Sequence, residues 1–396
     1  MAAGRAAELG SKVLLLEKNN TLGEKLLITG GGRCNVTNAE PDLRKLLSKF
    51  KDANQFLFST FSQFTNANTI YFFNSRNVST KVEAEQRVFP ISDSAGSIWD
   101  VMVDYLKKNK VEIYNNSEIT DFLTDDNKIL GIKLKGGKEL KASNFILATG
   151  GMSRPETGST GDGFKWLKGL GHEVKEPKAS LVPIKIEDQW VKKLSGKSLV
   201  GIKITIFQNG IKQVTKVGKI LFTHFGVSGP TILNLSNEVS ELLKYGEVFI
   251  SLDLLPTLDF SSLNDALQEL FKKEDKKKIK NALSSLITPG LVPIILSKIN
   301  LNPDKECNSI TRSERILLMK ALKDIQMKAI GILGEDKAII TSGGVILTEI
   351  DFKTMQSKLF PNLYIVGDLL DIDRPSGGYS LQLCWTTGFV AGTHAS

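Results

Sequence analysis

Residues 13 to 17 read Val-Leu-Leu-Leu-Glu, an apolar strand that ends in an acid. The residues before it, MAAGRAAELG, are small and read as a helix. Helix, short turn, buried strand and terminal acid form the second half of a dinucleotide-binding βαβ unit. The first half of such a unit is a strand and a G-x-G-x-x-G turn, which holds a pyrophosphate at the helix N-terminus. The chain opens inside the helix. We therefore expect a late start or a fragment, with weakened folding and weakened cofactor binding.

At 396 residues the chain exceeds a typical single domain, so about two or three domains are expected. The 41% hydrophobic content is ordinary for a soluble globular protein. No apolar run approaches the roughly 18 residues needed to span a bilayer, and no signal segment opens the chain. Three cysteines, Cys34, Cys307 and Cys384, are too few for a disulfide scaffold and lack zinc-ligand spacing. His172 and His394 have no partner at helical or strand spacing, so no metal site is expected. A reducing, cytoplasmic setting fits best. The net charge is +8, with its densest basic run at residues 271–280. That run reads as a solvated helix face and has no interleaved aromatics for base stacking. Nucleic acid is accordingly not the expected partner; a small molecule is, and no membrane.

Residues 21–38 read as loop, 41–64 as helix and 98–106 as a short amphipathic helix. Strands are expected at 111–114, 119–122 and 129–134, with Gly136-Gly137 as a hairpin turn, and 144–151 reads as a buried strand running into a glycine turn. Character changes near Pro183. Strands follow at 200–207, 213–222 and 248–254, with Asn209-Gly210 as a hairpin signal. Residues 263–330 read as helical, and the α/β pattern returns near Ile339. Leu363 to Asp368 is a buried strand ending Gly-Asp, and residues 377–392 are a glycine turn and a helix. The expected fold is α/β: a two-segment Rossmann-like domain, residues 1–182 and 339–396. Between them lie a β-rich insert, 183–260, and a helical insert, 261–338.

Four constellations carry chemistry. Glu17 and the adjoining Lys18 end the first strand, where an acid accepts hydrogen bonds from adenosine ribose hydroxyls. The second runs from Gly23 through Lys25, Thr29, Gly30, Gly31, Gly32, Arg33, Cys34 and Asn35 to Asn38. Three consecutive glycines let the backbone approach a flat or phosphorylated ligand, and Lys25 and Arg33 add cationic donors. The third is Ala148-Thr149-Gly150, a strand end near a dinucleotide. The fourth joins Gly367-Asp368 with the turn Gly377-Gly378-Tyr379. An acid there can bind a sugar-like hydroxyl, and a glycine turn opening a helix aims N–H groups at an anion. Cys34 and Cys384 raise a redox-pair alternative. His224, between aromatics beside a glycine-rich turn, reads either as a substrate-side acid or as a structural hydrogen-bonder. No catalytic acid or base is assigned.

Three strings, GEKLLITGGGRCNVTN, LFTHFGVSGPTIL and IVGDLLDIDRPSGGYSLQLCWTTGFVAG, resemble bacterial FAD-dependent oxidoreductases of the aminoacetone-oxidase family, relatives of a dehydro-bile-acid reductase. The resemblance covers essentially the whole chain. It implies a glutathione-reductase-type FAD domain with a β-barrel-like insert and a small helical part. It implies that Glu17 meets the adenosine ribose and that Ile119 offers backbone to the adenine. Residues 30–35 would lie along the flavin and pyrophosphate, and Asp368 with Gly377-Gly378 would meet the ribityl chain and the ring. FAD is the implied cofactor, with NAD(P)H as a transient co-substrate and hydride transfer to a small organic substrate as the reaction. An RNA-associated flavoprotein, or a truncated chain unable to hold FAD, are the alternatives. Two positions depart from the family pattern: Arg374 and Ser380 stand where Gly and Asn are expected.

Overall fold

The computed structural model describes all 396 residues, apart from the side chain of Glu335. The chain forms two units, residues 1–180 with 334–396, and residues 181–333.

In the first unit the helix Ala2–Glu8 leads into the strand Leu14–Leu16. Small residues let this helix sit close to its neighbours. A Cβ on Gly4 would stand 2.4 Å from the Tyr105 ring, and one on Gly392, in the C-terminal helix Tyr379–His394, 2.4 Å from the Ala2 carbonyl oxygen. Leu14–Leu16 pairs in parallel with Glu112–Tyr114. Helix Ala95–Lys108 immediately precedes that partner strand. Ser94 caps it by accepting from the Gly96 amide, and Ile98, Val101, Met102, Tyr105 and Leu106 form its buried stripe. A second parallel pair, Phe145–Leu147 with Leu363–Ile365, joins the two chain segments. Antiparallel strands Gln356–Ser357 and Ile350–Asp351 extend it. Leu363, Tyr364 and Ile365 are all buried, the mark of a strand covered on both faces. The Rossmann-like α/β expectation is met.

Three local expectations need correction. The loop at 21–38 contains a short helix, Glu24–Leu27, and a tight 3-10 turn, Thr29–Gly32. The helix at 41–64 is broken into Leu43–Leu47, a 3-10 stretch Ser48–Ala53, and Asn54–Gln63. Lys51, at φ 48 and ψ −124, breaks it. Residues 325–332 are not helical: Ile325–Ile332 is a strand, with Ile325, Met327 and Ala329 buried in alternation.

The second unit is built on a closed six-stranded barrel. Ile184–Ile186 lies beside Gly226–Ser228, then come Ile211–Phe222, Ser198–Gln208, Val248–Asp253 and Ile325–Ile332, which returns to the first. The long hairpin turns at Asn209-Gly210, at φ 48 and 78, two left-handed residues as a type I′ turn needs. Ile204, Ile206, Ile220, Val248, Ile250 and Leu252 are fully buried. Helices Phe260–Lys273, Val292–Lys298 and Arg312–Lys323 pack into the same apolar cluster. Asp259 caps the first of these helices, and a Thr311–Glu314 capping box opens the last.

Candidate functional site

The two glycine turns named from the sequence meet in the first unit. Gly30, Gly31 and Gly32 are left-handed in succession, at φ 57, 70 and 86. The chain then carries Asn35 and Asn38 against the turn at Gly377-Gly378. With its amide nitrogen toward Val88 O and Thr37 O (3.2 and 3.1 Å), Asn35 accepts from the Gly378 amide at 2.9 Å through its oxygen. Asn38 Nδ2 donates to Gly377 O at 3.1 Å, and Thr37 Oγ1 donates to Gln382 Oε1 at 2.5 Å. Gly378 is required here: a Cβ would stand 2.3 Å from the Thr37 carbonyl. Gly31 and Gly32 have open space at the same position, and Leu27 and Ile28 beside them are 39% and 40% exposed.

A second group gathers at the end of the first strand. The Glu17 amide donates to Tyr114 O at 2.9 Å, and its Oε1 accepts from the Asn19 amide at 2.8 Å. Burial raises the Glu17 carboxyl above its ordinary value, against the pull of the Asn19 and Lys18 amides. Lys18 Nζ donates to Asp162 Oδ2 at 2.6 Å and to Thr160 Oγ1 at 2.7 Å. Lys25 Nζ donates to Ser153 O and Oγ (3.0 and 2.8 Å) and to Ser159 Oγ (3.3 Å). The loop after Ala148-Thr149-Gly150 thus closes over both lysines. Ala148 and Thr149 are exposed, and Gly150 is left-handed at φ 73. The sequence reading missed Ser153, Ser159, Thr160 and Asp162. Their signal was the polar, glycine-rich run Gly158-Ser-Thr-Gly-Asp162 between a buried strand and a helix.

Asp368 is held by Arg374, whose side chain has no solvent exposure. Arg374 Nη2 donates to Asp368 Oδ1, Nη1 to Ile372 O at 2.8 Å, and Nε to Ser380 Oγ at 3.2 Å. Arg374 and Ser380 are therefore partners. Gly367, left-handed at φ 64, donates to Thr387 Oγ1 at 3.1 Å, and a Cβ there would stand 3.3 Å from Cys384 Sγ. Burial pushes the Cys384 thiol up to about 12. Asp368 adds to the rise, and Arg374 and Lys25 oppose it, so these charges share one neighbourhood. Burial pushes Cys34 up to about 11, against a hydrogen bond with Thr29. Both are protonated thiols at neutral pH, the reverse of an activated redox thiol.

Several named residues are committed elsewhere. Arg33 lies over the Phe89 ring at 4.1 Å and pairs with Glu83 and Asp93, both at 2.5 Å. The Tyr379 ring is buried edge-on to Phe50, 6.0 Å between centroids. Thr29 Oγ1 donates to Leu26 O at 2.6 Å, and a Cβ on Gly23 would stand 2.8 Å from Trp99. Ile119 opens the strand Ile119–Asp125, half-buried, opposite Leu134. His224, in the second unit, is exposed against Phe225. His172 is buried, with Nδ1 2.7 Å from Glu349 Oε2 and Nε2 3.0 Å from Ser357 Oγ. Ser357 Oγ also accepts from the Leu359 and Phe360 amides (3.1 and 3.0 Å), so this Ser-His-Glu row ties down a turn.

The whole-chain comparison decides the family: residues 1–394 match the family described as HI0933-like protein Rossmann domain. The chain belongs to this family. It is 26% identical over 393 residues to the 3-dehydro-bile acid delta(4,6)-reductase of Clostridium scindens, covering 98% of this chain and 93% of the relative. It is 28% identical over 386 residues to the ribosomal RNA dihydrouridine synthase of Escherichia coli, covering 97% and 92%. Among solved structures, the 3-ketosteroid delta1-dehydrogenase of Sterolibacterium denitrificans superposes with a TM-score of 0.53 at 13% identity, over 100% of this chain and 96% of that one, a likeness of fold. The HI0933-like chain is a Rossmann-type flavoprotein of the oxidoreductase class. No helix among the described residues is long and apolar enough to cross a membrane.

The residues present fit a flavin dinucleotide. Gly31 and Gly32 leave bare backbone beside exposed Leu27 and Ile28, a surface suited to a flat, partly apolar ring. Glu17 and Asp368 supply carboxylate acceptors for sugar hydroxyls.

Proposed function

We propose that this protein binds FAD in its first unit and reduces a carbon–carbon double bond conjugated to a carbonyl, with NAD(P)H as the electron source. What carries this reading is the chemistry the two relatives share. A delta(4,6)-reductase of 3-dehydro bile acids and a dihydrouridine synthase each, by name, add two hydrogens to a double bond. In both substrates that bond is conjugated with a carbonyl.

In this reading Glu17 accepts from the adenosine ribose, and the Ile119 backbone faces the adenine. The Gly30–Gly32 backbone borders the ring, with Lys25, Cys34 and Asn35 behind it, while Gly23, Thr29 and Arg33 hold that segment through their own partners and Lys18 stays at the Glu17 end. Gly150, with Ala148 and Thr149, borders the dinucleotide. Asp368 accepts from the ribityl chain, and Arg374 fixes its carboxylate. Asn35 and Asn38 hold the two turns at one spacing, so the wall is rigid before anything binds. Bound FAD supplies the hydride; the protein positions it and tunes its surroundings. Lys25 is a cation felt at Cys384, and there it would favour anionic groups.

The test is anaerobic. The FAD-loaded protein is reduced with NADH or NADPH and mixed in separate runs with a steroidal conjugated enone, a uridine-containing RNA and a saturated ketone. Oxidised-flavin absorbance should return with a conjugated acceptor, whose mass rises by two hydrogens. The ketone should give no return. No return with either conjugated acceptor until oxygen is admitted would sink the reading.

One observation favours RNA as the source of that double bond. The 181–333 unit carries 22 Lys and Arg against 15 Asp and Glu, a net +7 of the chain's +8. The single carboxylate of a bile acid needs one cation, whereas a phosphate backbone engages many.

A further inference from the structure

Lys25 is a half-buried cation that makes no ion pair among the described residues. Its three Nζ protons meet neutral oxygens instead: Ser153 O at 3.0 Å, Ser153 Oγ at 2.8 Å and Ser159 Oγ at 3.3 Å. The acids of its neighbourhood are engaged elsewhere. Asp162 pairs with Lys18 at 2.6 Å, Glu156 with Arg154 at 3.4 Å and Asp368 with Arg374, while Glu24 Oε1 accepts from Thr21 Oγ1 at 2.9 Å. A cation taken partly out of water and given no opposite charge favours an anion beside it.

The two serines differ in what they have left to give. Ser153 Oγ donates to Ile339 O at 3.3 Å, so it serves only to anchor Lys25. Ser159 Oγ accepts from Lys25 and donates to no described residue. Its contact with Lys25 is the longest of the three. An arriving oxygen anion can therefore replace it on Nζ and take the free hydroxyl proton as well. The backbone beside it is bare: Gly150 is left-handed, and a Cβ there would stand 3.2 Å from Ser159 Oγ. The loop that carries Ser159 also reaches both ends of the site. Thr157 O accepts from Asn19 Nδ2 at 3.0 Å and Asp162 holds Lys18, and both partners directly follow Glu17. On the other side Lys25 is felt at the Cys384 thiol, as are Asp368 and Arg374. In FAD two phosphates join the adenosine to the ribityl chain. With Glu17 at the ribose and Asp368 at the ribityl chain, the phosphates fall to the groups between.

We propose that Lys25 and Ser159 seat the pyrophosphate of FAD, Lys25 by its charge and Ser159 by its hydroxyl, beside the bare Gly150 backbone. The proposal rests on the FAD reading and adds which residues of this chain hold the phosphates. Ser153 is a positioning residue here, since it touches Lys25 and keeps its own proton on Ile339.

The test is titration of the flavin-free, full-length protein with FAD and, separately, with riboflavin, which has the ring and ribityl chain but no phosphate. Flavin fluorescence reports binding, over a range of salt. Lys25→Gln should weaken FAD roughly tenfold to a hundredfold, and Ser159→Ala roughly tenfold. Both should leave riboflavin affinity unchanged. Added salt should weaken FAD binding to wild type more steeply than to Lys25→Gln. The control, Lys165→Gln, removes an equal charge from the exposed side of the helix Asp162–Gly169 and should leave FAD affinity unchanged. Thermal melts confirm that each variant is folded. Wild-type FAD binding that Lys25→Gln and Ser159→Ala leave intact, or that the control weakens as much, overturns this seat while FAD remains the cofactor. Equal losses of FAD and riboflavin overturn the phosphate contact. Wild type that binds neither flavin overturns the seat and the FAD reading together.

Discussion

Arg374 is a buried cation whose charge is balanced by one carboxylate, Asp368. Removing one member of a buried pair leaves the other desolvated and alone, at a cost of about 3–5 kcal/mol. Arg374→Ala should lose stability on that scale in urea denaturation. The double change with Asp368→Ala should recover part of it, and full additivity would show that the pair is not coupled. The thiols give a second outcome at this scale. With Cys34 at about 11 and Cys384 at about 12, less than about one part in a hundred of either is thiolate at pH 8. Neither should be alkylated in the folded protein within the time that unfolded chains react fully. Rapid native labelling of either would revive the redox-pair reading. Glu17 supplies a pH dependence. Burial raises its folded value above the ordinary 4.5, so the folded state binds the extra proton in that window. The stability Glu17 contributes is complete below 4.5 and is lost as pH rises through the raised value. Glu17→Gln should flatten that fall, as read from urea midpoints measured across the window.

At the scale of elements, glycines mark which turns tolerate a side chain. Gly378 combines φ 99 with the 2.3 Å approach to Thr37, so Gly378→Ala should part the two turns and lower bound flavin severely. Gly169, at the end of Asp162–Gly169, has no left-handed φ, and nothing lies within 4 Å of where its Cβ would stand. Gly169→Ala should leave flavin content unchanged and gain up to about 1 kcal/mol. Equal effects at the two positions would show that the close approach of Gly378 to Thr37 does not hold the two turns together. The glycine turns were legible in the sequence because a local conformation demanded them. So was the Asn209-Gly210 hairpin, whose turn chemistry is read from two residues. The strand Ile325–Ile332 was not: it follows the helix Arg312–Lys323 with Asp324 alone between, and its alternation is short. The ties of Lys25 to Ser153 and of Arg374 to Asp368 were also hidden. They depend on where separate segments meet, which no local pattern encodes.

Taken whole, the molecule joins a flavin-type unit to a barrel unit through two chain crossings, and the second unit closes on itself. Its apolar cluster draws only on residues 184–329 and their partly buried neighbours within 181–333. The Leu333 amide donates to Pro183 O at 3.0 Å, so the two ends of this segment already meet. Ile184–Ile186 and Ile325–Ile332 pair beside that junction and complete the barrel. A segment with its own core, a closed sheet and adjacent ends meets the conditions for independent folding. Residues 181–333 expressed alone should therefore unfold in one cooperative transition with native near-UV dichroism. The full chain should show a transition at that same denaturant concentration. Added FAD should move only a different one, because a ligand stabilises the unit that binds it. A fragment that melts without a transition would mean that the barrel depends on the first unit for its fold. A barrel transition that FAD shifts would mean that the two units share the cofactor's binding energy.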